Sequence, residues 1–137
     1  MSDVHSPAVR SYNMSRIKGK DTKPEIVLRK FLHSKGFRFR LHYKGLPGKP
    51  DIVLAKYKTI IFVHGCFWHG HLGCKYFVIP KTRTIWWTEK INGNKQRDKE
   101  NIAQLKKAGW RVVVIFECDL RPVKMVDTFY RILKLLS

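Results

Sequence analysis

Three cysteines and a histidine stand at the spacing a metal ion would use. Cys66, His71 and Cys74 fall within F-V-H-G-C-F-W-H-G-H-L-G-C, and Cys118 follows in F-E-C-D. Three thiolates and one imidazole make the Cys₃His set of a closed structural zinc site. The chain has 3 cysteines, so every thiol is used. A disulfide would leave one thiol over, and three merely buried thiols would leave the spacing without a reason. His69 satisfies the ligand count as His71 does; the reading takes His71 as the ligand and leaves His69 as a spare imidazole. Phe67 and Trp68 bring two flat rings to the same loop.

A second chemistry gathers at Asp51. This carboxylate opens an apolar run directly after a rigid loop containing Gly45, Pro47, Gly48 and Pro50. Nucleases of the restriction-enzyme type place a metal-binding aspartate there, then an acidic residue, a spacer and a lysine on the next strand. Here the next strand reads T-I-I-F-V-H-G, with neither group in its interior, and His64 and His69 stand in that region instead. One aspartate holds Mg²⁺ if a backbone carbonyl, waters and phosphate oxygens complete the shell. A histidine near the scissile phosphate can then deprotonate the attacking water. The plain alternative is that Asp51 only caps a loop–strand junction.

These residues need elements to hold them. Residues 59–63 form a β-branched apolar run of buried-strand type, and 111–116 form another. The long polar stretch between them has helical spacing, so a right-handed crossover makes the two strands parallel and brings their carboxyl ends to one edge. Cys66 follows the first strand and Cys118 the second, which unites the four ligands. Upstream, Thr22-Lys23-Pro24-Glu25 reads as a helix start, with Thr22 as cap, Pro24 in the first turn and Glu25 closing a capping box. Leu28, Phe31 and Leu32 mark its buried face, and Gly36 ends it. Residues 37–43 alternate apolar and basic side chains as a half-buried strand, 51–55 is a strand, and 56–58 is a turn. A helix capped by Thr84 is expected to about Ala108, with a possible break at Asn92-Gly93 and with Ile102 and Leu105 facing the sheet. Residues 123–136 form a closing helix with Val126, Phe129, Ile132, Leu133 and Leu136 inward. The expected fold is α/β: a small mixed sheet of about four strands flanked by helices, with a zinc site.

The composition selects a partner. Lys and Arg number 28 against 10 Asp and Glu, a net charge of +18 on 137 residues. Such a domain repels itself unless a polyanion binds, and nucleic acid is the default candidate. Membrane attachment would want an amphipathic basic helix or a long apolar span, and neither is visible. The polar N-terminus carries no secretory signature, and reduced cysteines committed to a metal fit the cytoplasm. Residues 1–21 read as a flexible basic arm carrying Met14, Arg16, Lys18 and Lys20, and 22–137 as one domain.

The chain resembles the very short patch repair (Vsr) endonucleases. The residues that carry the resemblance are Ser11 to Met14, Asp21 to Glu25, L-P-G-K-P-D (46–51), F-V-H-G-C-F-W-H (62–69), T-R-T (82–84), Lys90-Ile91, Asn94, Arg97-Asp98, G-W-R-V (109–112) and Glu117-Cys118. Gly73 adds one residue between His71 and Cys74 relative to that pattern, and Val63 replaces a threonine found in some relatives. The resemblance implies a restriction-endonuclease-like fold and Mg²⁺-dependent nicking of double-stranded DNA beside a T:G mismatch. It implies that Asp51 and the Val63 carbonyl bind Mg²⁺, that His69 is the general base, and that Glu25 and His64 organise water and phosphate. Phe67, Trp68 and Trp87 would wedge into the base stack, Trp87 being chosen over Trp86 by alignment. The arm would clamp the other groove, and Asn94 and Asp98, one helical turn apart, would lie near the site. A monomer on nucleoid DNA, handing its nick to downstream repair proteins, completes the expectation. A wobble pair costs less to distort than a matched pair, so intercalation falls most easily on the mismatch. Two other classes fit the residues alone: a nuclease acting on matched DNA, and a non-catalytic zinc-stabilised binder of distorted DNA.

Overall fold

The structure is a computed structural model that describes residues 22–137. The arm expected at 1–21, with Met14, Arg16, Lys18 and Lys20, lies outside the described residues. The elements run α1 (Lys23–Ser34), β1 (Arg40–Leu41), β2 (Ile52–Leu54), β3 (Thr59–His64), α2 (Thr84–Lys107), β4 (Arg111–Phe116) and α3 (Pro122–Leu136). The four strands form one sheet in the order β1-β2-β3-β4. β1–β2 and β2–β3 are antiparallel, while β3 and β4 pair in parallel from Thr59↔Arg111 to His64↔Phe116. The crossover through α2 therefore brings the ends of β3 and β4 together, as the two apolar runs implied. No helix among the described residues is long and apolar enough to cross a membrane.

Both faces of the sheet are covered, which explains why β2 and β3 read as continuous apolar runs. Ile52, Leu54, Ile61 and Ile115 pack with Leu28 and Leu32 of α1 and Ile132 and Leu136 of α3. On the opposite face Val53, Ile60 and Phe62 meet Leu105 of α2, with Ile102 beside them. Alternation along the strands assigns neighbours to opposite layers.

Several elements depart from expectation for local reasons. Thr22 makes no side-chain cap bond. Glu25 does not close a capping box; it is 3% exposed and accepts a hydrogen bond from Arg29 at 3.0 Å. A charged donor one turn away outcompetes a neutral backbone N–H. The strand expected over 37–43 contracts to Arg40–Leu41, and His42, next in the chain, sits in the left-handed region at φ 47. α2 passes through Asn92 and Gly93 without a break, and Thr84 sits in its first turn, donating to Pro80 O and Lys81 O at 2.9 Å each. Val126 does not face inward: it is 72% exposed, since the buried stripe of α3 runs through Thr128, Ile132 and Leu136, on the other side of the helix. Gly36 and Gly109 do end their helices, both at positive φ, with Phe37 N–H closing on Leu32 O and Trp110 N–H on Leu105 O.

Candidate active site and metal centre

The loop after β3 winds through successive tight turns, with His69 N–H on Gly65 O, His71 N–H on Cys66 O at 2.9 Å and Cys74 N–H on His71 O. These turns fold Cys66, His71 and Cys74 toward the end of β4, where a 3₁₀ turn over Glu117–Leu120 delivers Cys118. The four side chains converge, with their ligand atoms all within 4.8 Å of one another. Cys118 Sγ lies 3.4 Å from His71 Nδ1, and Cys118 N–H points at Cys66 Sγ at 3.4 Å. A tetrahedron with Zn–S and Zn–N bonds of ordinary length needs edges of about 3.5–3.8 Å, so the cluster has the right size. Burial pushes the Cys66 thiol up to about 12 and also raises Cys118. Cys74, the outermost of the three, shifts the other way, helped by the backbone N–H of Tyr76; a cation held by the set would stabilise all three thiolates. His71, stacked on Phe116 at 3.8 Å and 4°, is the histidine of this cluster.

His69 belongs elsewhere. Its Nδ1 meets Asp98 Oδ2 of α2 at 2.6 Å, and its ring stacks on His64 at 3.7 Å and 4°. Asp98 thereby fixes the ring and leaves Nε2 without the proton in the neutral tautomer. His64, at the buried end of β3, is pushed down to about 4, by burial first and then by the charge of His69, with Asp98 opposing. It is a neutral ring at ordinary pH.

Asp51 lies where the sequence put it, at the entrance to β2. Its Oδ2 accepts the Val63 N–H at 2.7 Å. Burial raises its carboxyl to about 6, the Val63 N–H pulls it down, and Glu25 adds to the rise. A desolvated carboxylate beside a second carboxylate is a prepared cation ligand. Asp51, Glu25, Val63, His64, His69 and Asp98 line one open cleft of about 860 Å³, with Trp68 also on its wall.

The aromatic side of the loop forms a cluster of its own. Phe67 contacts Trp68 at 5.2 Å and Trp87 at 5.4 Å, and Trp68 lies 5.9 Å from Trp87. Trp68 is 41% exposed and Trp86 45%, whereas Trp87 is half-buried; neither tryptophan of α2 joins the core. Besides the His69–Asp98 contact, the loop is clamped to α2 at two further points. Asn94 Nδ2 donates to Trp68 O at 2.9 Å, and Gly70, at φ +59, lets the backbone approach so closely that an added Cβ would sit 2.9 Å from Ile91 Cγ2. Asn94, expected at the DNA, also accepts from Arg97, so both ends of its amide are engaged inside the protein.

Sequence reasoning missed two members of this neighbourhood. His42 and Arg29 stand against Glu25 and Asp51. Arg29 had a signal, four residues after Glu25 on one helix face. His42 had a weaker one, as the single imidazole on the basic side of the 37–43 alternation.

Comparison with known proteins gives the following. A family profile described as DNA mismatch endonuclease Vsr matches residues 2–75. The type II nicking enzyme V.NmeAIP of Neisseria meningitidis is 50% identical over 121 residues, covering 88% of this chain and 86% of the relative. The type II nicking enzyme V.XorIIP of Xanthomonas oryzae pv. oryzae is 49% identical over 131 residues, covering 96% of each chain. The DNA mismatch endonuclease Vsr of Escherichia coli K12 is 47% identical over 121 residues, covering 88% of this chain and 77% of the relative. Among solved structures, the catalytic domain of a homing endonuclease aligns with TM-score 0.55 and 20% identity over 84% of this chain and 94% of that one. At that identity the likeness concerns the fold.

Proposed function

We propose, from the premise that this chain belongs to the Vsr family of DNA mismatch endonucleases, that it nicks one strand of double-stranded DNA beside a T:G mismatch. The observation that carries the proposal is the joining, in one cleft, of a desolvated aspartate and a carboxylate-fixed histidine, with the Trp68 ring on its wall.

Asp51 and the carbonyl of Val63 would hold Mg²⁺, whose bound form polarises the phosphate and lowers the pKa of a ligated water. His69 takes the proton of the attacking water at Nε2, and Asp98 stabilises the imidazolium that results. His64 stacks beneath His69 and keeps that ring from tilting. Glu25, held by Arg29, orders solvent on the far side of Asp51. Cys66, His71, Cys74 and Cys118 would hold Zn²⁺, which ties the loop between β3 and α2 to the end of β4.

Phe67 and Trp68 from that loop, with Trp87 from the first turn of α2, enter the base stack. Unstacking a base step costs a few kcal/mol, least at a wobble pair, so deformability selects the mismatch. The peptide that carries Trp68 reaches α2 through Asn94, and His69 reaches it through Asp98. Recognition and proton transfer therefore share one helix. The domain spans 22–137, and the basic arm before it, with Met14, Arg16, Lys18 and Lys20, adds phosphate contacts that position without specifying sequence.

The test compares Mg²⁺-dependent nicking of T:G and matched duplexes by the wild type and Asp51→Ala. The expected result is nicking of the T:G duplex by the wild type only. Equal cutting of both duplexes would point to a nuclease of matched DNA, and binding with no cutting to a non-catalytic binder.

A further inference from the structure

We propose that Arg29 and His42 act as a positioning pair that fixes the orientation of the Asp51 carboxylate for its divalent cation. The inference deepens the reading of Asp51 as a metal ligand and rests on it.

The pair begins with a guanidinium shared between two acceptors. Arg29 Nη2 lies 3.0 Å from Glu25 Oε2 and 2.9 Å from His42 Nε2. A guanidinium only donates. His42 Nε2 must therefore accept. With Nε2 bare, the ring proton resides on Nδ1. That nitrogen faces Asp51 Oδ1 at 3.9 Å, longer than a direct hydrogen bond and within reach of a small side-chain shift.

The backbone places these groups deliberately close. His42 N–H donates to Asp51 O at 3.1 Å, and Tyr43 N–H to Pro50 O at 3.2 Å, continuing the β1–β2 pairing past the point where His42 turns to φ 47. That left-handed turn is unusual outside glycine, and it occurs at the residue whose ring lies between the two carboxylates. On the other side, Val63 N–H holds Oδ2 at 2.7 Å. Asp51 thus has the Val63 N–H on Oδ2 and the His42 ring facing Oδ1 at 3.9 Å, and it lines the open cleft. Partners of this kind, which touch the ligand rather than the ion, commonly change metal affinity and activity 10- to 100-fold when removed.

The same geometry separates His42 from Glu25. His42 Nε2 and Glu25 Oε2 stand 3.5 Å apart, two acceptors converging on one guanidinium. Arg29 consequently serves Glu25 and the tautomer of His42 together.

Side-chain isosteres make the idea testable. Asparagine places an N–H near the position of histidine Nδ1, whereas glutamine reaches the position of Nε2 and offers nothing to Asp51. His42→Asn, His42→Gln, His42→Ala and Asp51→Asn are compared by Mn²⁺ binding, followed by electron paramagnetic resonance on zinc-loaded protein, and by kcat and KM for nicking. His42→Gln and His42→Ala should weaken Mn²⁺ binding and lower kcat by about tenfold or more, with KM for DNA within about twofold. His42→Asn should restore both to within about threefold of wild type. Equal behaviour of the Asn and Gln variants, or a His42→Ala protein that binds Mn²⁺ like wild type while Asp51→Asn does not, would overturn the positioning role alone. Undiminished Mn²⁺ binding by Asp51→Asn would overturn the metal centre and the pair together.

Discussion

Replacing Asp51 with asparagine should stabilise the metal-free protein, although it removes the proposed catalytic carboxylate. Burial raises this carboxyl from 3.8 to about 6, so the folded protein holds its proton roughly 150-fold more tightly than the unfolded chain, worth about 3 kcal/mol. Between about pH 4 and pH 6 the unfolded carboxyl is ionised while the folded one keeps its proton, so the Asp51 contribution to stability falls as pH rises through that window. Above it both forms are charged, and the folded state carries the full desolvation cost. Asparagine does not titrate, keeps an oxygen for the Val63 N–H and avoids that cost. Without divalent cation at pH 8, Asp51→Asn should be more stable by about 2–3 kcal/mol, or on the order of 10 °C in Tm for a domain of this size. The difference should shrink toward pH 4. Saturating Mg²⁺ should narrow it again, because only the wild type gains from binding. Urea unfolding across pH 4–8, with zinc retained and Mg²⁺ chelated, measures the effect. An asparagine variant no more stable than wild type at pH 8, with the same pH dependence, would show that Asp51 is not desolvated and would remove the argument for a prepared metal ligand.

His64 is pushed down to about 4 by burial, so the unfolded chain takes up a proton that the folded state refuses; the His64 contribution to stability should fall by roughly 3 kcal/mol as pH drops from 6.5 to about 4, opposite in sign to that of Asp51, and His64→Gln should remove that contribution in acid unfolding curves. Removing zinc with a chelator, or Cys118→Ser, should unfold the loop and abolish DNA binding, because structural zinc contributes about 10–16 kcal/mol against a total stability of about 5–15 kcal/mol; circular dichroism and gel shift would read this, and zinc-free protein that binds normally would contradict it. Trp68→Ala and Trp87→Ala should each weaken binding to a T:G duplex by roughly 1–3 kcal/mol while hardly changing binding to matched DNA, as fluorescence anisotropy at fixed salt would show; equal losses on both duplexes would make the rings a packing cluster only.

Much of the site was legible because its residues sit at the ends of strongly patterned elements. The runs at 59–63 and 111–116 declared parallel strands, and from that pairing the meeting of Cys66 with Cys118 followed before any coordinates. Asp51 announced itself by standing between a proline-rich turn and a buried strand. What stayed hidden depended on side-chain partners at a distance. Glu25 fits a capping box in sequence, and only the inward turn toward Arg29 and His42 shows a different use. His69 and His71 are two residues apart and equivalent on paper, yet turns at Gly65–His69 and Cys66–His71 send one toward Asp98 and the other toward the thiols. Val126 was misplaced because an apolar residue on an amphipathic helix looks inward until Thr128 is seen to occupy the core side, its hydroxyl satisfied by Asp119 O at 2.8 Å.

Strand-specific cutting at a mismatch is tested by one gel. A duplex with a single T:G pair is labelled on one strand, then separately on the other, and incubated with zinc-loaded protein and Mg²⁺. A break in one strand only, beside the mismatch and absent from the matched control, is the expected result. Cleavage of both strands, or equal cleavage of the matched duplex, would contradict it.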